Sequence, residues 1–499
     1  MFNKLIAGVK GVMRKMGFLR ALKDVQEHKK VTADEGDYNR ISMWKSLYEG
    51  KYDEWHKLSY IHNNKEIRRT MLSMGMGKVV SKYIAKLIFN EKCQITVSNS
   101  DSEANEFVQD VFAHNNFLEK IERYLEYFMA LGGGAMKVYH DGKEVKLAFA
   151  AADAFFPLSN DSENIDEAVF VNSFQKNKKY YTLLEWNEWE GDDYIITNEL
   201  YESASPTELG NKVALSLLYP DLEKRIKFEN GISRPLFVYV KTNIANNKNM
   251  TSPLGLSVFA NALDTMKTLD MMFDAFYQEI KLGKRRIIVP ASFLKTATDE
   301  AGNLMRFFDP MDEAFVGYDG DIDDSNIIDA SVDIRANDYI SSINAMLRIF
   351  AMQSGLSAGT FTFDENGIKT ATEVISEKSE TYQTKNSHSM NFGQALRKLI
   401  ISILEVGKML GSYRGEIPSE EDITVDFDDS IAQDEDAIIN RYTNGKNQGM
   451  VPLLIAIQRA YNIPEKEAEL WVKMIRDDEQ AGRGITDVEA SQLFGGIEE

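Results

Sequence analysis

SPLGLSVFANALDTMKTLDMMFDAFYQEIKLGKRRIIVP, residues 252–290, decides the fold of this chain. Ser252 followed by Pro253 is the N-cap and first-turn pair of a helix. Phe259, Leu263, Met266, Phe273, Tyr277 and Ile280 follow at helical steps, with Asp270 the only interruption of the stripe. RRIIVP at 285–290 is a short β-branched run, and an acidic, turn-rich segment spans 299–333. A second helical pattern, Ala336, Ile340, Ile343, Leu347 and Phe350, stops at Gly355, a helix-ending residue. Two antiparallel helices with a hairpin-like insert at their far end make a projecting arm. Neither helix can bury its stripe alone. Phe259, Leu263, Met266, Phe273, Ile340, Ile343 and Leu347 are therefore expected to face neighbours, and copies of the same chain are the simplest source.

Length and charge bound what carries this arm. A chain of 499 residues is long for one compact core, which suggests roughly two to four domains. The single cysteine, Cys93, excludes a disulfide framework and a cysteine-based zinc site, and it fits a reducing compartment. The formal net charge of −20 argues against a protein that grips phosphates by counterion release, so a DNA partner would be tolerated and not clamped.

Residues 1–30 are the basic exception, with Phe2, Leu5, Val9, Val12, Met16 and Leu19 at helical spacing among lysines and arginines. Lys10 and Arg14 break the apolar run that a secretory signal needs. An arm packed on an acidic neighbouring subunit is favoured over a helix lying on a membrane. No apolar run reaches the ~20 residues of a membrane span, and no transmembrane segment is expected.

Residues 38–131 read as helical, with Trp44, Leu47, Tyr48 and Trp55 followed by a long amphipathic run at 71–88. Gly75, Gly77 and Lys78 do not complete a phosphate loop, because Val79 follows the lysine. Gly132, Gly133 and Gly134 close a helical block and lead into a strand at 135–140, which reads as a flexible joint. From 136 to 241 the period changes to two. Strands at 145–149, 168–174, 180–186, 194–201 and 235–240 predict a mixed, mostly antiparallel region, with Trp186 and Trp189 as sheet-edge packing. The Asn-rich stretch 243–251 reads as a hinge. Beyond Gly367 a long helix extends to about 410, polar over 376–389 and apolar at Phe392, Leu396, Leu399, Ile400, Ile403 and Leu404. Its polar half is expected to cross a wet surface between subunits or to kink. After a break at 411–418 come an acidic strand at 425–427, a helix from about 432, and a helix opened by Pro464 that carries Leu470, Trp471, Met474 and Ile475. The whole is an α+β chain.

Five strings, SPLGLSVFANALDTMKTLD (252–270), RRIIVP (285–290), SGLSAGTFTFDENGIKTATEV (354–374), TLLEW (182–186) and VDFDDSI (425–431), resemble portal proteins of tailed bacteriophages, of the type found in siphophages of Gram-positive hosts. The likeness covers nearly the whole chain and keeps the order of parts. It implies a portal-type fold and a ring, typically a homododecamer, at one vertex of the virion capsid. Through its channel double-stranded DNA would be packaged and later ejected. It also implies partners, namely the terminase packaging motor, a head-tail adaptor, and the major capsid and scaffolding proteins, with assembly in the bacterial host cytoplasm and no cofactor. On that map 1–37 is a basic arm, 38–251 the wing, and 252–283 and 336–354 the two stem helices. The intervening 284–335 is a small β clip, 355–370 the channel loop, 371–410 a long wing helix and 411–499 a helical crown.

The channel loop carries Phe361, Phe363, Asp364, Glu365 and Lys369. Lys369 would make transient phosphate contacts while the phenylalanines pack between loops or touch the duplex. An equal reading is that all five only hold neighbouring loops together. In the clip, Asp309, Asp312, Glu313, Asp319, Asp321, Asp323 and Asp324 lie in a stretch, 299–333, whose only base is Arg306. Such a stretch is a solvated surface or a dock for a basic motor or adaptor. Asp319, Asp321 and Asp323 open with calcium-loop spacing, but Asp324 stands where glycine is required and Ala330 where glutamate closes the loop. His28, His56, His62, His114, His140 and His388 form no H-E-x-x-H pair, and there is no G-x-S-x-G elbow, so no enzyme is expected. The alternative to a portal is a soluble adaptor that forms rings or filaments without a DNA channel.

Overall fold

The structure, a computed structural model, describes residues 34–62, 65–98, 102–160, 164–206, 208–229, 231–283, 287–288, 295–298, 304–307, 328–329, 333–362, 379–427, 435–461, 463 and 467–477. The basic segment 1–30 lies outside the described residues.

The chain opens with helix α1 (Glu35–Tyr48), whose N-cap Asp34 accepts from the Gly36 N–H and whose first turn carries Glu35 and Asp37, matching the helix dipole. The short helix α2 (Asp53–His56) leads into the hairpin β1 (Lys57–His62) and β2 (Lys65–Thr70). Then follow α3 (Met76–Ile88), β3 (Gln94–Val97), α4 (Glu103–His114) and α5 (Phe117–Leu131). Ser102 caps α4 by accepting from the Asn105 N–H at 3.1 Å.

Two sheets follow. In one, β4 (Gly133–His140) lies between β5 (Val145–Ala151) and β12 (Phe237–Lys241). The other runs β10 (Asn211–Val213), β9 (Asp193–Ser203), β8 (Lys179–Glu190), β7 (Ile165–Lys176), β6 (Phe155–Asn160), with β11 (Arg225–Phe228) also on β9. Asn177 and Lys178 both have positive φ, the conformation a two-residue hairpin turn between β7 and β8 demands. Every strand pairing among the described residues is antiparallel, where the sequence suggested a mixed region. Trp186 is buried within β8, and Trp189 packs edge-on against Tyr194 at 4.9 Å.

Beyond the sheets come α6 (Leu263–Leu282), the short strands β13 (Ile287–Ile288), β14 (Lys295–Thr298), β15 (Leu304–Phe307) and β16 (Ile328–Asp329), and α7 (Ala336–Gln353). The strands pair as β13 with β16 and β14 with β15. The long helix α8 (Ser379–Met409), β17 (Ile423–Asp426), α9 (Glu435–Asn447), α10 (Leu453–Tyr461) and a helix at 467–477 complete the described chain. One large core runs from Tyr38 to Val425, and a small separate cluster joins Ile457, Ala468 and Val472.

Region 38–131, read as helical, also contains the hairpin β1–β2 and the strand β3, and four further sequence readings change. First, the helix after Ser252 and Pro253 begins only at Leu263. The preceding segment bonds across the fold instead of along itself: the Val258 N–H donates to Met129 O at 3.1 Å and the Thr242 hydroxyl to Leu256 O at 2.6 Å. Second, the glycines at 132–134 are a close contact and not a flexible joint. A Cβ on Gly134 would sit 2.1 Å from the Phe128 ring, and one on Gly255 would sit 2.2 Å from Gly132 O. Third, the polar half of α8 is not uniformly exposed: Thr381, Lys385, His388 and Ser389 are buried within the chain's own fold, while Ser379, Glu380 and Gln383 face solvent, all in one continuous helix. Fourth, residues 411–427, read as the start of the crown, belong to the main core through Tyr413, Ile423 and Val425, because β17 pairs with β3.

The backbone contact between Gly132 and Gly255 makes a quantitative expectation. Gly132→Ala or Gly255→Ala should lower unfolding free energy by ~3 kcal/mol or more, read from urea denaturation. Gly142, with φ of +93° but open space around it, should lose only ~1–2 kcal/mol on the same change.

Candidate functional site

The arm is built by α6 and α7, which run antiparallel. The Thr265 hydroxyl, near the start of α6, donates to Gln353 Oε1 at 2.7 Å near the end of α7. At the opposite end Arg335 forks onto Glu279, Nε to Oε1 at 3.0 Å and Nη2 to Oε2 at 2.9 Å, and Phe276 stacks on Tyr339 at 5.3 Å.

The buried face of α6 is not the apolar stripe that the sequence suggested. It carries Met266 and Leu269 together with Asp270 and Asp274, which are 3% and 4% exposed. Asp270 accepts from the Met74 N–H at 2.7 Å and from the Ser73 hydroxyl at 3.1 Å, and lies 2.9 Å from His56 Nε2. One turn on, Asp274 accepts two bonds from Arg69, at 2.6 and 2.7 Å, and one from the Leu72 N–H at 3.2 Å. The Arg69 guanidinium holds the Asp274 carboxyl below the usual carboxylate range. The two carboxylates thus fix the root of the β1–β2 hairpin and the chain that leads into α3.

Of the residues expected to face neighbours, Phe259, Met266, Ile343 and Leu347 are consumed in the chain's own core, and Leu263 packs partly against it. Phe273 and Ile340 are half-buried. Large apolar side chains that do reach solvent on the arm are Met271, Tyr277, Ile280, Ile349 and Met352. The helical spacing was right for two helices, yet α6 is rotated so that its aspartates point inward, because donors for them exist there.

The loop after α7 starts from a rigid base. Gly355 takes a left-handed conformation, φ +73°, as the helix ends, and its carbonyl accepts from the Thr384 hydroxyl on α8. Ser357 and Thr381 bond reciprocally: the Ser357 N–H reaches Thr381 Oγ1 at 2.9 Å and the Thr381 N–H reaches Ser357 Oγ at 3.3 Å. The start of the loop and the first turn of α8 therefore meet at one point. Phe361, expected to face DNA or a neighbouring loop, instead packs against Tyr83 at 5.7 Å and Phe350 at 6.0 Å. It anchors the loop. Phe363, Asp364, Glu365 and Lys369 lie outside the described residues, as do the clip residues Asp309, Asp312, Glu313, Asp319, Asp321, Asp323 and Asp324.

Between β12 and α8 lies a polar cleft of about 490 Å³, lined by Arg234, Lys241, Asn243, Gln394, Lys398 and Glu420 among others. Arg234 pairs with Glu420 at 2.6 Å and Lys398 Nζ donates to Asn164 at 2.9 Å. Beside the cleft the buried His388 Nδ1 accepts from the Asn243 N–H at 3.0 Å, and burial pushes its pKa down to about 4. Among the described residues no three His, Cys, Asp or Glu side chains converge as a metal site, and no helix is long and apolar enough to cross a membrane.

Two stability measurements test this geometry. Asp270→Ala removes the acceptor from the buried His56 and from two part-buried donors, the Ser73 hydroxyl and the Met74 N–H, and should cost ~2–4 kcal/mol in urea denaturation. His388 binds its proton more readily in the unfolded chain, so its contribution is complete above about pH 6.5 and is lost as pH falls toward 4. Stability over that window should fall more steeply than in His388→Gln, by up to ~1.4 kcal/mol per pH unit.

No curated protein matches the chain. A family model described as phage portal protein, SPP1 Gp6-like, matches residues 27–481, which takes in both sheets, the arm, the loop base and α8. A match over that span leaves no room for a chance motif: the chain belongs to the SPP1 Gp6-like family of phage portal proteins.

Proposed function

We propose that the chain assembles as a ring, twelve copies in the reading inherited from the resemblance, around a channel that conducts double-stranded DNA into the capsid and out again. The family is structural and not enzymatic, serves DNA packaging, and stands at the portal vertex of the virion. Within that role α6 and α7 are the stem, residues 284–335 the clip that docks the packaging motor and head-tail adaptor, and 355–370 the loop that meets DNA.

The observation that carries this reading is the pinned loop base. Ser357 and Thr381 tie the start of the loop to the first turn of α8 while Phe361 and Leu356 root it in the core. A loop that meets a moving duplex without tearing away from the wall needs such a fixed base. The net charge of −20 per chain supports the same role, since a negative wall repels phosphates and keeps a passing polyanion from sticking. Lys369 is then the loop's base for transient phosphate contact.

Electron microscopy of the purified assembly tests the ring, which should be closed with a hole wider than ~20 Å, enough for a duplex. A filament or a solid disc would favour the adaptor without a channel. In assembled particles, Ser357→Ala with Thr381→Val should leave ring formation intact and reduce packaged DNA several-fold. Lys369→Glu should slow packaging, and packaging at the normal rate would remove the contact role. Affinity of the ring for motor or adaptor should weaken strongly as salt rises if the acidic clip is the dock.

A further inference from the structure

We propose that the C-terminal helices of adjacent copies of this chain meet through their outer sides, Leu470 and Met474 of one copy against Met450 and Ile455 of the next. The inference rests on the portal reading, because it needs copies side by side.

A helix lying on a protein surface has one apolar side. The helix at 467–477 has two. Ala468 and Val472, four residues apart, are buried in the small cluster with Ile457. Leu470 and Met474, also four apart, are offset from that pair by two residues, which at about 3.6 residues per turn places them on nearly the opposite side. They are 56% and 58% exposed. The arrangement recurs in α10. Ala456 and Ile457 are buried, Ile455 stands exposed two residues before Ile457, and Met450 is bare in the turn that precedes the helix. The two helices face each other through Ile457, Ala468 and Val472, with Trp471 against Tyr461 at 5.3 Å. Their outer sides therefore point away from each other. A helix that is apolar on opposite sides is placed to be sandwiched, with its own unit on one side and a second body on the other.

A second copy fits both outer sides. Among the described residues the cluster that joins these helices has only three fully buried members, and so small a core rarely orders ~40 residues unaided. Burying the outer sides supplies what that core lacks. Residues 435–477 carry six acids and six bases, a formal charge of zero in a chain whose total is −20. Two copies can thus bring these helices together without the repulsion that the rest of the chain imposes, while a basic protein or the phosphates of DNA find no net charge to attract them. The two sides are different surfaces of one unit, so the contact is head-to-tail and repeats from copy to copy, the kind that closes a ring.

The single cysteine makes the test direct. In full-length chain with Cys93→Ser, Met474→Cys is combined in turn with Met450→Cys or Ile455→Cys, and assembled rings are treated with a short bifunctional thiol reagent. At least one pair should give a covalent ladder rising to the subunit number of the ring, which the single-cysteine parents do not give. In parallel, Leu470→Asp with Met474→Asp should raise the protein concentration needed for assembly at least tenfold while the isolated chain keeps the wild-type unfolding midpoint. Rings that form normally with the charged helix, and that give no ladder with either pair, overturn the contact and leave the portal reading standing. A lowered unfolding midpoint of the isolated chain would mean that its own residues 478–499 cover Leu470 and Met474, which overturns it too. A wild-type chain that never forms a ring removes both readings together.

Discussion

A carboxylate taken out of water must be met by donors, and Asp270 and Asp274 impose that condition where the arm leaves the body. They sit one turn apart on the same side of α6, and every donor they use comes from residues 56–74. An unpaired buried charge costs several kcal/mol, so neither segment can slide along the other without a large loss. This sets the direction of α6. Its first half is held in the core by Met266 and Leu269, and beyond Asp274 it is steadied by the Arg335 fork on Glu279 and the Phe276–Tyr339 stack.

The remaining constraint is close approach of backbone. Gly132 ends α5 in a left-handed turn against Gly255, so the segment that precedes α6 can lie on the head of β4. The long helix α8 then runs past β12 and β4 and meets the loop base through Thr381 and Thr384. Arm, loop and body are thereby tied by bonds between distant parts of the chain. A force on the loop would pass into α7 through Phe361 and Phe350 and into α8 through Thr381, two elements with different roots in the core.

These ties explain which sequence readings held and which did not. Period-two alternation located six of the nine strands from 133 to 241 to within a few residues, and it missed β6, β10 and β11, the last two of which bury no complete face. The helices α6 and α7 were legible from their spacing and from Gly355. The start of α6 was not, since Ser252 and Pro253 obey local rules whereas the next residues are bonded to Met129 and Thr242. Phe361 was assigned to the channel loop on the family resemblance, and its packing against Tyr83, nearly three hundred residues earlier, and Phe350 was not legible from the sequence.

By itself the sequence determined the α+β class, the order of helix, sheet, arm and long helix, the acidic character and, through the strings at 252–270 and 354–374, the family. Those follow from local periodicity, charge and chain order, which need no partner in space. The tertiary structure alone decided that the aspartates of α6 face inward, that Thr381, Lys385, His388 and Ser389 in the polar half of α8 are buried, that three glycines are a contact, and that 411–427 joins the main core. Each of these depends on a donor, an acceptor or a backbone supplied by a distant segment, and no window along the chain contains it.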